Sequence, residues 1–160
     1  MLLSGDIDCM ISAHPPHKFG GVNSKIARLM PDYRDVEEKF FKETGIYPIM
    51  HTVAIKRDVY EEYPWIARNL MTAFEEARDR SVARLTSVTA SQIPVPWGYV
   101  NAERTAETIF GEKGIWPYGV ESNRTTIEAF LQYCHEQGVT HRKLCPEDLY
   151  APESMREFVI

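Results

Sequence analysis

The hydrophobic residues of this chain recur with two different periods. Between Gly45 and Asp58, apolar and polar residues alternate, with Ile49, His51 and Val53 on one face, and a period of two predicts a half-buried β-strand over Ile46 to Arg57. From Pro64 to about Leu85, apolar residues recur at steps of three and four. This spacing predicts a long amphipathic helix that begins at the proline.

Shorter patterns predict the remaining elements. Leu2 to Ser12 is expected to form a short buried strand that leads into a loop with two prolines and two glycines. Further helices are predicted from Asp32 to Gly45, from Ala102 to Phe110, and from a cap at Ser122 or Asn123 to Gly138. Because the predicted strands are few and separated by helices, the predicted fold class is α/β.

The second face of the long predicted helix is charged. A solvated surface is the simplest interpretation, because pairs of opposite charges at this spacing contribute only tenths of a kcal/mol each. We therefore assign no function to its six charged residues, which are Glu75, Glu76, Arg78, Asp79, Arg80 and Arg84.

Composition narrows the class of protein. The 160 residues carry 18 Lys and Arg against 23 Asp and Glu, a formal charge of −5, which disfavours nucleic-acid binding because a basic face is needed there. No stretch has the roughly 20 apolar residues of a membrane span, and the first ten residues lack the pattern of a signal peptide. We expect a cytoplasmic protein with no nucleic-acid or membrane partner. Cys9, Cys134 and Cys145 are too widely spaced to predict a disulfide framework or a zinc site.

Three histidines are candidates for acid–base chemistry. His51 lies in the middle of the predicted strand, where a polar ring needs a hydrogen-bond partner or a cavity; a satisfied core histidine is the alternative. His14 and His17 flank a double proline that stiffens their loop, which would suit a proton donor held over a cleft. No paired carboxylates accompany them at ligand spacing, so no metal site is predicted.

The segment from Tyr118 to Arg124 has the features of an anion site. The amino terminus of a helix presents unpaired N–H groups and a positive dipole end, so Arg124 beside it would complete a carboxylate-binding corner. Simple helix capping is the alternative interpretation. Aromatic residues on the neighbouring loops suit a planar ligand, although such residues also fill small hydrophobic clusters; they are Trp97, Tyr99, Trp116 and Tyr118.

Four segments of the sequence together resemble one enzyme family. They are Gly5 to Pro16, Thr44 to His51, Asp58 to Ala77, and Trp116 to Arg124. In order and spacing they resemble the carboxy-terminal half of the 4,5-dihydroxyphthalate decarboxylase family. The resemblance implies a two-lobed α/β fold of the type II periplasmic-binding-protein kind, with residues 1–45 ending the second lobe and residues 46–160 forming the crossover and carboxy-terminal helices. Members of that family are about twice as long, so an incomplete fold is expected.

The resemblance also implies an activity, the non-oxidative decarboxylation of a hydroxylated aromatic dicarboxylate such as 4,5-dihydroxyphthalate, without a cofactor. His51 or His14 would donate the proton, and Arg124 with the helix end at Asn123 would bind a carboxylate. Tyr118 and Glu121 would contact the phenols. A solute-binding module of an ABC-transporter-like system that captures a small anion, and an inactive fragment, are the alternatives. The expected partner is a small aromatic carboxylate, and exposed apolar surface would favour a homo-oligomer.

Overall fold

Helices make up all the regular secondary structure in the part of the chain that the computed structural model describes, residues 1–16, 19–20, 24–88, 94–111 and 114–155. A π-helical turn, Ala106–Phe110, continues the fourth helix, and two 3₁₀ turns follow the fifth, Pro146–Asp148 and Pro152–Ser154. The five α-helices are α1 (Tyr33–Thr44), α2 (Arg57–Glu62), α3 (Trp65–Leu85), α4 (Gly98–Thr105) and α5 (Val120–Glu136).

The predicted α/β class is therefore wrong, and so is the expected two-lobed fold of the periplasmic-binding-protein kind. Residues 46–56 form neither strand nor helix, and α2 begins at Arg57. Burial does not alternate along the segment, since Ile49, Met50 and Val53 are all exposed. A strand exists only as part of a hydrogen-bonded ladder, and no ladder forms among the described residues. The alternating pattern alone could not supply a partner strand.

The chain divides into two units, Met1–Lys39 and Phe40–Ile160, and the division falls within α1. In the first unit, the described residues before α1 form turns and irregular segments, so the strand predicted over Leu2–Ser12 is wrong. The guanidinium of Arg28 lies over the rings of Phe19 and Tyr33, 5.1 and 4.6 Å from their centroids. These cation–π contacts hold the segment before α1 against the first residue of that helix.

The core of the second unit is formed around α5. Val120, Ile127 and Leu131 are buried on one side of this helix, at the three- and four-residue steps that keep side chains on one face. Three partly buried residues from the chain after α5 pack against them, Leu144, Tyr150 and Met155. The buried hydroxyl of Thr126 accepts a hydrogen bond from the backbone N–H of Tyr47 at 3.0 Å. This bond fixes the segment after α1 to α5.

The predicted long helix is confirmed as α3, which follows Pro64 and ends at Leu85. Helix α1 is also confirmed, with Asp32 directly before its first residue and Gly45 directly after its last. In the described part of the chain, no helix is both long and apolar enough to cross a membrane.

Helix α5 begins earlier than the sequence predicted. Its first residue is Val120 and its amino-terminal cap is Gly119, so neither Ser122 nor Asn123 is the cap. Gly119 has φ +88° and ψ 160°, a conformation that is essentially restricted to glycine. A Cβ at this position would lie 3.2 Å from the Cε atom of Met71 on α3. The glycine therefore allows the turn before α5 to lie against α3.

Candidate functional site

The turn that leads into α5 is held by aromatic packing. The indole of Trp116 lies 5.1 Å from the ring of Tyr47 and 5.5 Å from that of Phe110, measured between centroids. Tyr47 also packs against Phe41 at 6.3 Å. Trp116 has φ +56°, a left-handed conformation that is unusual for a bulky residue and persists only where the surroundings enforce it.

Asn123 ties the same turn to α5. Its Nδ2 amide donates to the carbonyl oxygens of Pro117 and Gly119, both at 2.8 Å. A helix cap does the opposite, because its side-chain oxygen accepts from the first free N–H groups of the helix. In this structure Asn123 therefore positions Tyr118, which lies between its two acceptors, and both amide N–H groups of the side chain are used within the protein.

Arg124 lies one turn into α5 and is surrounded by carboxylates. It donates from Nε and Nη2 to the two carboxylate oxygens of Glu121 at 3.2 and 2.5 Å, and from Nη1 to Glu128 at 3.2 Å. Nη2 also donates to Glu147 at 2.7 Å. These four contacts use four of the five N–H groups that a guanidinium carries. Arg124, Glu121, Glu128 and Glu147 are called the Arg124 cluster below.

The charges of the Arg124 cluster have a direct electrostatic effect. Hydrogen bonds from Arg124 lower the pKa values of Glu121 and Glu147 below the ordinary carboxyl range. The same bonds raise the pKa of Arg124, chiefly through Glu121. The cluster brings one formally positive side chain against three formally negative ones. An added carboxylate that binds the guanidinium through two N–H groups would have to displace one of the three glutamates.

Arg78 is the second arginine near this turn, and it lies on α3. Its Nε atom donates to Asp79 Oδ1 at 2.8 Å, and Nη2 lies 2.8 Å from the same oxygen. Nη1 donates to the carbonyl of Trp116 at 3.3 Å, and the guanidinium carbon lies 5.1 Å from the ring centroid of Tyr118. Only 19% of the Arg78 side chain is exposed. The interpretation of this residue as part of a solvated face is therefore wrong.

A groove of about 540 Å³ runs between α3 and the segment before α5. One wall is a single stripe of α3, because its residues recur at three- and four-residue steps. Two of the four predicted aromatic walls, Trp116 and Tyr118, lie in this groove, whereas Trp97 and Tyr99 lie at the start of α4. The lining residues are Phe74, Ala77, Arg78, Ser81, Val82, Leu85, Ile115, Trp116 and Tyr118.

The structure describes two of the three candidate histidines, His51 and His14. His51 is exposed in the irregular segment between α1 and α2, four residues beyond the Tyr47 N–H that is bound to Thr126. Within the described residues, no hydrogen bond or ion pair joins it to Tyr118, Glu121, Asn123 or Arg124. His14 is exposed in the first unit, where its backbone N–H and carbonyl both bond to the hydroxyl of Ser12. His17 lies outside the described residues.

The sequence interpretation missed three residues that determine the electrostatics of the site. Glu128 stands four positions after Arg124 and could have been identified from helix spacing. Glu147 is 23 positions away, and only folding brings it to Arg124. Arg78 was hidden among similar charges on α3. No group of three or more His, Cys, Asp or Glu side chains in the described residues is arranged to hold a metal ion.

Comparison with known proteins gives one informative result. No protein family model matches the chain. The chain is 28% identical to the 4,5-dihydroxyphthalate decarboxylase of Comamonas testosteroni, over all 160 of its residues. It spans about half of that relative, 48% of its length. The two are therefore distantly related.

Proposed function

We propose that this chain contributes to the non-oxidative decarboxylation of a hydroxylated aromatic dicarboxylate, with 4,5-dihydroxyphthalate as the first candidate. The observation that carries the proposal is the 28% identity to a 4,5-dihydroxyphthalate decarboxylase, which extends from the first residue of the chain to the last. Because the chain spans about half of that relative, the activity is proposed for the protein to which the chain belongs. The chain alone is the first form to test.

The proposed reaction replaces a carbon–carboxylate bond of the aromatic ring with a carbon–hydrogen bond. The bond between a ring carbon and its carboxylate breaks and carbon dioxide leaves, while a proton adds to the same ring carbon. A hydroxyl para to the departing group stabilises the quinoid intermediate when a nearby group accepts its hydrogen bond. The second carboxylate stays on the ring and gives the protein a fixed charge to bind.

The residues proposed for these steps follow from that chemistry. His51 or His14 would supply the proton, since histidine exchanges protons near neutral pH. Tyr118 and Glu121 would contact the phenols, and the α5 end at Asn123 with Arg124 would bind a carboxylate. For Arg124, binding through two N–H groups requires the substrate to replace one of its three glutamate partners. Its pairing with Glu121 is therefore proposed to loosen when substrate enters.

The test is the release of carbon dioxide from 4,5-dihydroxyphthalate labelled in its carboxyl groups. We expect substrate-dependent release by the chain, with the Comamonas testosteroni enzyme as the positive control. Phthalate labelled in the same way, which lacks the hydroxyls that stabilise the intermediate, should release no carbon dioxide. A chain that is folded by circular dichroism and binds the compound without any release would contradict the proposal for the chain.

Replacement of the proposed proton donor gives a sharper test. His51→Gln should lower turnover by about 100-fold or more, in the range expected for loss of a general acid, and leave substrate binding within a few-fold. His14→Gln is the matched variant, because only one of the two histidines should carry the step. Unchanged turnover in both variants would exclude both from the mechanism.

A further inference from the structure

We propose that the groove between α3 and the segment 115–118 binds the aromatic ring of the substrate, with Arg78 holding one of its carboxylates. The inference rests on the proposed function for the identity of the ligand, a small aromatic carboxylate. It assigns binding to residues of α3 that the sequence interpretation left without a role.

The size and walls of the groove fit such a ligand. Its volume of about 540 Å³ lies within the roughly 300–1,000 Å³ of small-molecule sites. Phe74, Trp116 and Tyr118 offer aromatic surface to a planar ring, and the hydroxyls of Ser81 and Tyr118 offer polar partners for phenols. A mostly apolar cleft with a few convergent polar groups is the usual composition of a ligand site.

Arg78 supplies the charge that a carboxylate needs. Its hydrogen bonds to Asp79 and Trp116 use two of the five guanidinium N–H groups, and Nη2 also lies in ion-pair contact with Asp79. Among the described residues, one N–H on Nη1 and one on Nη2 have no acceptor and are left for a ligand. Because the side chain is only 19% exposed, an ion pair formed here would be less screened by water than one on an open surface.

The backbone also favours this site. The left-handed conformation of Trp116 directs the chain so that its carbonyl accepts from Arg78 while its indole lines the groove. Strain of this kind collects at binding sites, where the surrounding structure over-determines it. Ala77 faces the same groove from α3, and its small side chain leaves the space for a ring open.

Binding measured by calorimetry tests the proposal without any need for turnover. The probes are phthalate, which cannot react by the proposed route, and 4,5-dihydroxyphthalate. Arg78→Gln should raise the Kd of both about tenfold or more, the loss expected for a charge-assisted hydrogen bond. Arg78→Lys should give an intermediate loss, since lysine keeps the charge but not the fork of donors. Ala77→Leu should raise the Kd at least tenfold by filling the groove.

Arg80→Gln is the matched control. It removes the same charge from the same helix, at an exposed residue that pairs with Glu76 and does not line the groove. We expect its Kd to stay within twofold of the wild-type value. Circular dichroism of each variant shows whether α3 is intact, and the Ala77 variant keeps every charged contact of Arg78 in place.

The possible outcomes separate this inference from the proposed function. Binding that depends on Arg78 and Ala77 without carbon dioxide release would support the groove as the binding site and contradict the proposed activity of the chain alone. Turnover that both substitutions leave unchanged would support the proposed function and contradict the proposal that the groove binds the substrate. Absence of phthalate binding at millimolar concentration, or equal binding by wild type, Arg78→Gln and Ala77→Leu, would also overturn it.

Discussion

Two arginines of the second unit differ in what surrounds them. Arg124 on α5 donates to three glutamates, and four of its five N–H groups are used. In the described part of the chain, Arg78 on α3 has one carboxylate partner, and aromatic surface lies beside it. The first arrangement is a closed network of charges within the protein. The second leaves donors and an apolar groove for something else.

The comparison shows that proximity to a helix amino terminus does not by itself leave the donors of an arginine available to a ligand. Arg124 was selected from the sequence because α5 begins nearby, and that criterion cannot count the carboxylates that folding brings to it. Arg78 was passed over because its neighbours in sequence are charged. What decides between the two is the number of N–H groups that the protein itself leaves without an acceptor.

The largest effect on stability is expected at Gly119, which lies between the groove and the Arg124 cluster in the sequence. Gly119→Ala should lower the free energy of unfolding by about 1–3 kcal/mol, because a side chain strains this backbone conformation and its Cβ would lie 3.2 Å from Met71. Since Tyr118 and Val120 flank it, the groove and the Arg124 cluster should be disturbed together. Urea unfolding followed by circular dichroism measures the change.

Gly98→Ala provides the control for that experiment. Gly98 is the first residue of α4, and a Cβ there would meet nothing within 4 Å. Alanine favours a helix over glycine, so stability should be unchanged or slightly raised. Equal effects of the two substitutions would contradict the role given to Gly119.

Substitution of Arg124 should have a smaller effect on stability, and this effect should depend on pH. Arg124 lowers the pKa values of Glu121 and Glu147, so their pairing stabilises the fold above the ordinary carboxyl pKa, about 4.3. That stability is lost as the pH falls through the lowered values. Arg124→Gln should lower the Tm by a few degrees at pH 7, where the three glutamates repel one another, and the difference should shrink towards pH 3.

Thermal unfolding of both proteins between pH 3 and pH 8 measures this prediction. Arg80→Gln is again the control, because its ion pair with Glu76 is exposed on both sides and such pairs contribute little. A Tm difference between wild type and Arg124→Gln that is the same at every pH would show that the cluster contributes packing and no charge pairing.

Part of the fold could be predicted from local sequence signals. The period of α3 and its initial proline, and the Asp32 and Gly45 that flank α1, determine those helices within their own residues. The segment after Gly45 was predicted wrongly, because a period of two describes side chains and says nothing about whether a second strand is present. The start of α5 was missed because the groups that a side chain at position 119 would meet, Met71 and Ser154, lie far away in sequence.

The candidate site shows the same limit. The aromatic and charged segment from Trp116 to Arg124 was identified from its residues, and the structure places Tyr118 and Arg124 close to the turn before α5. Arg78 and Glu147 come from other parts of the chain, and only the fold brings them to this turn. Sequence reasoning located the turn, whereas the partners of its side chains required the structure.

The smallest effect is expected at Cys145, beside the 3₁₀ turn that supplies Glu147 to the Arg124 cluster. The thiol donates to Asp148 at 3.3 Å, and this hydrogen bond raises the pKa of Cys145 above its ordinary value. Asp148→Asn removes the negative charge, so the thiolate fraction at pH 8 should increase and alkylation by iodoacetamide should accelerate a few-fold. Mass spectrometry of the Cys145 peptide measures the rate, with the Cys9 peptide as the internal reference.

Arg142→Gln distinguishes two causes of faster Cys145 alkylation, the loss of the Asp148 charge and a loosening of the 3₁₀ turn. Arg142 pairs with Asp148 at 2.9 Å, so its loss weakens the turn but leaves the carboxylate beside the thiol. Cys145 should therefore stay slow in Arg142→Gln and react faster only in Asp148→Asn. Acceleration in both variants would mean that the turn has opened, and Glu147 would then no longer be held at Arg124. The comparison of the two arginines would change in that case, because Arg124 would have lost a partner and gained a free donor.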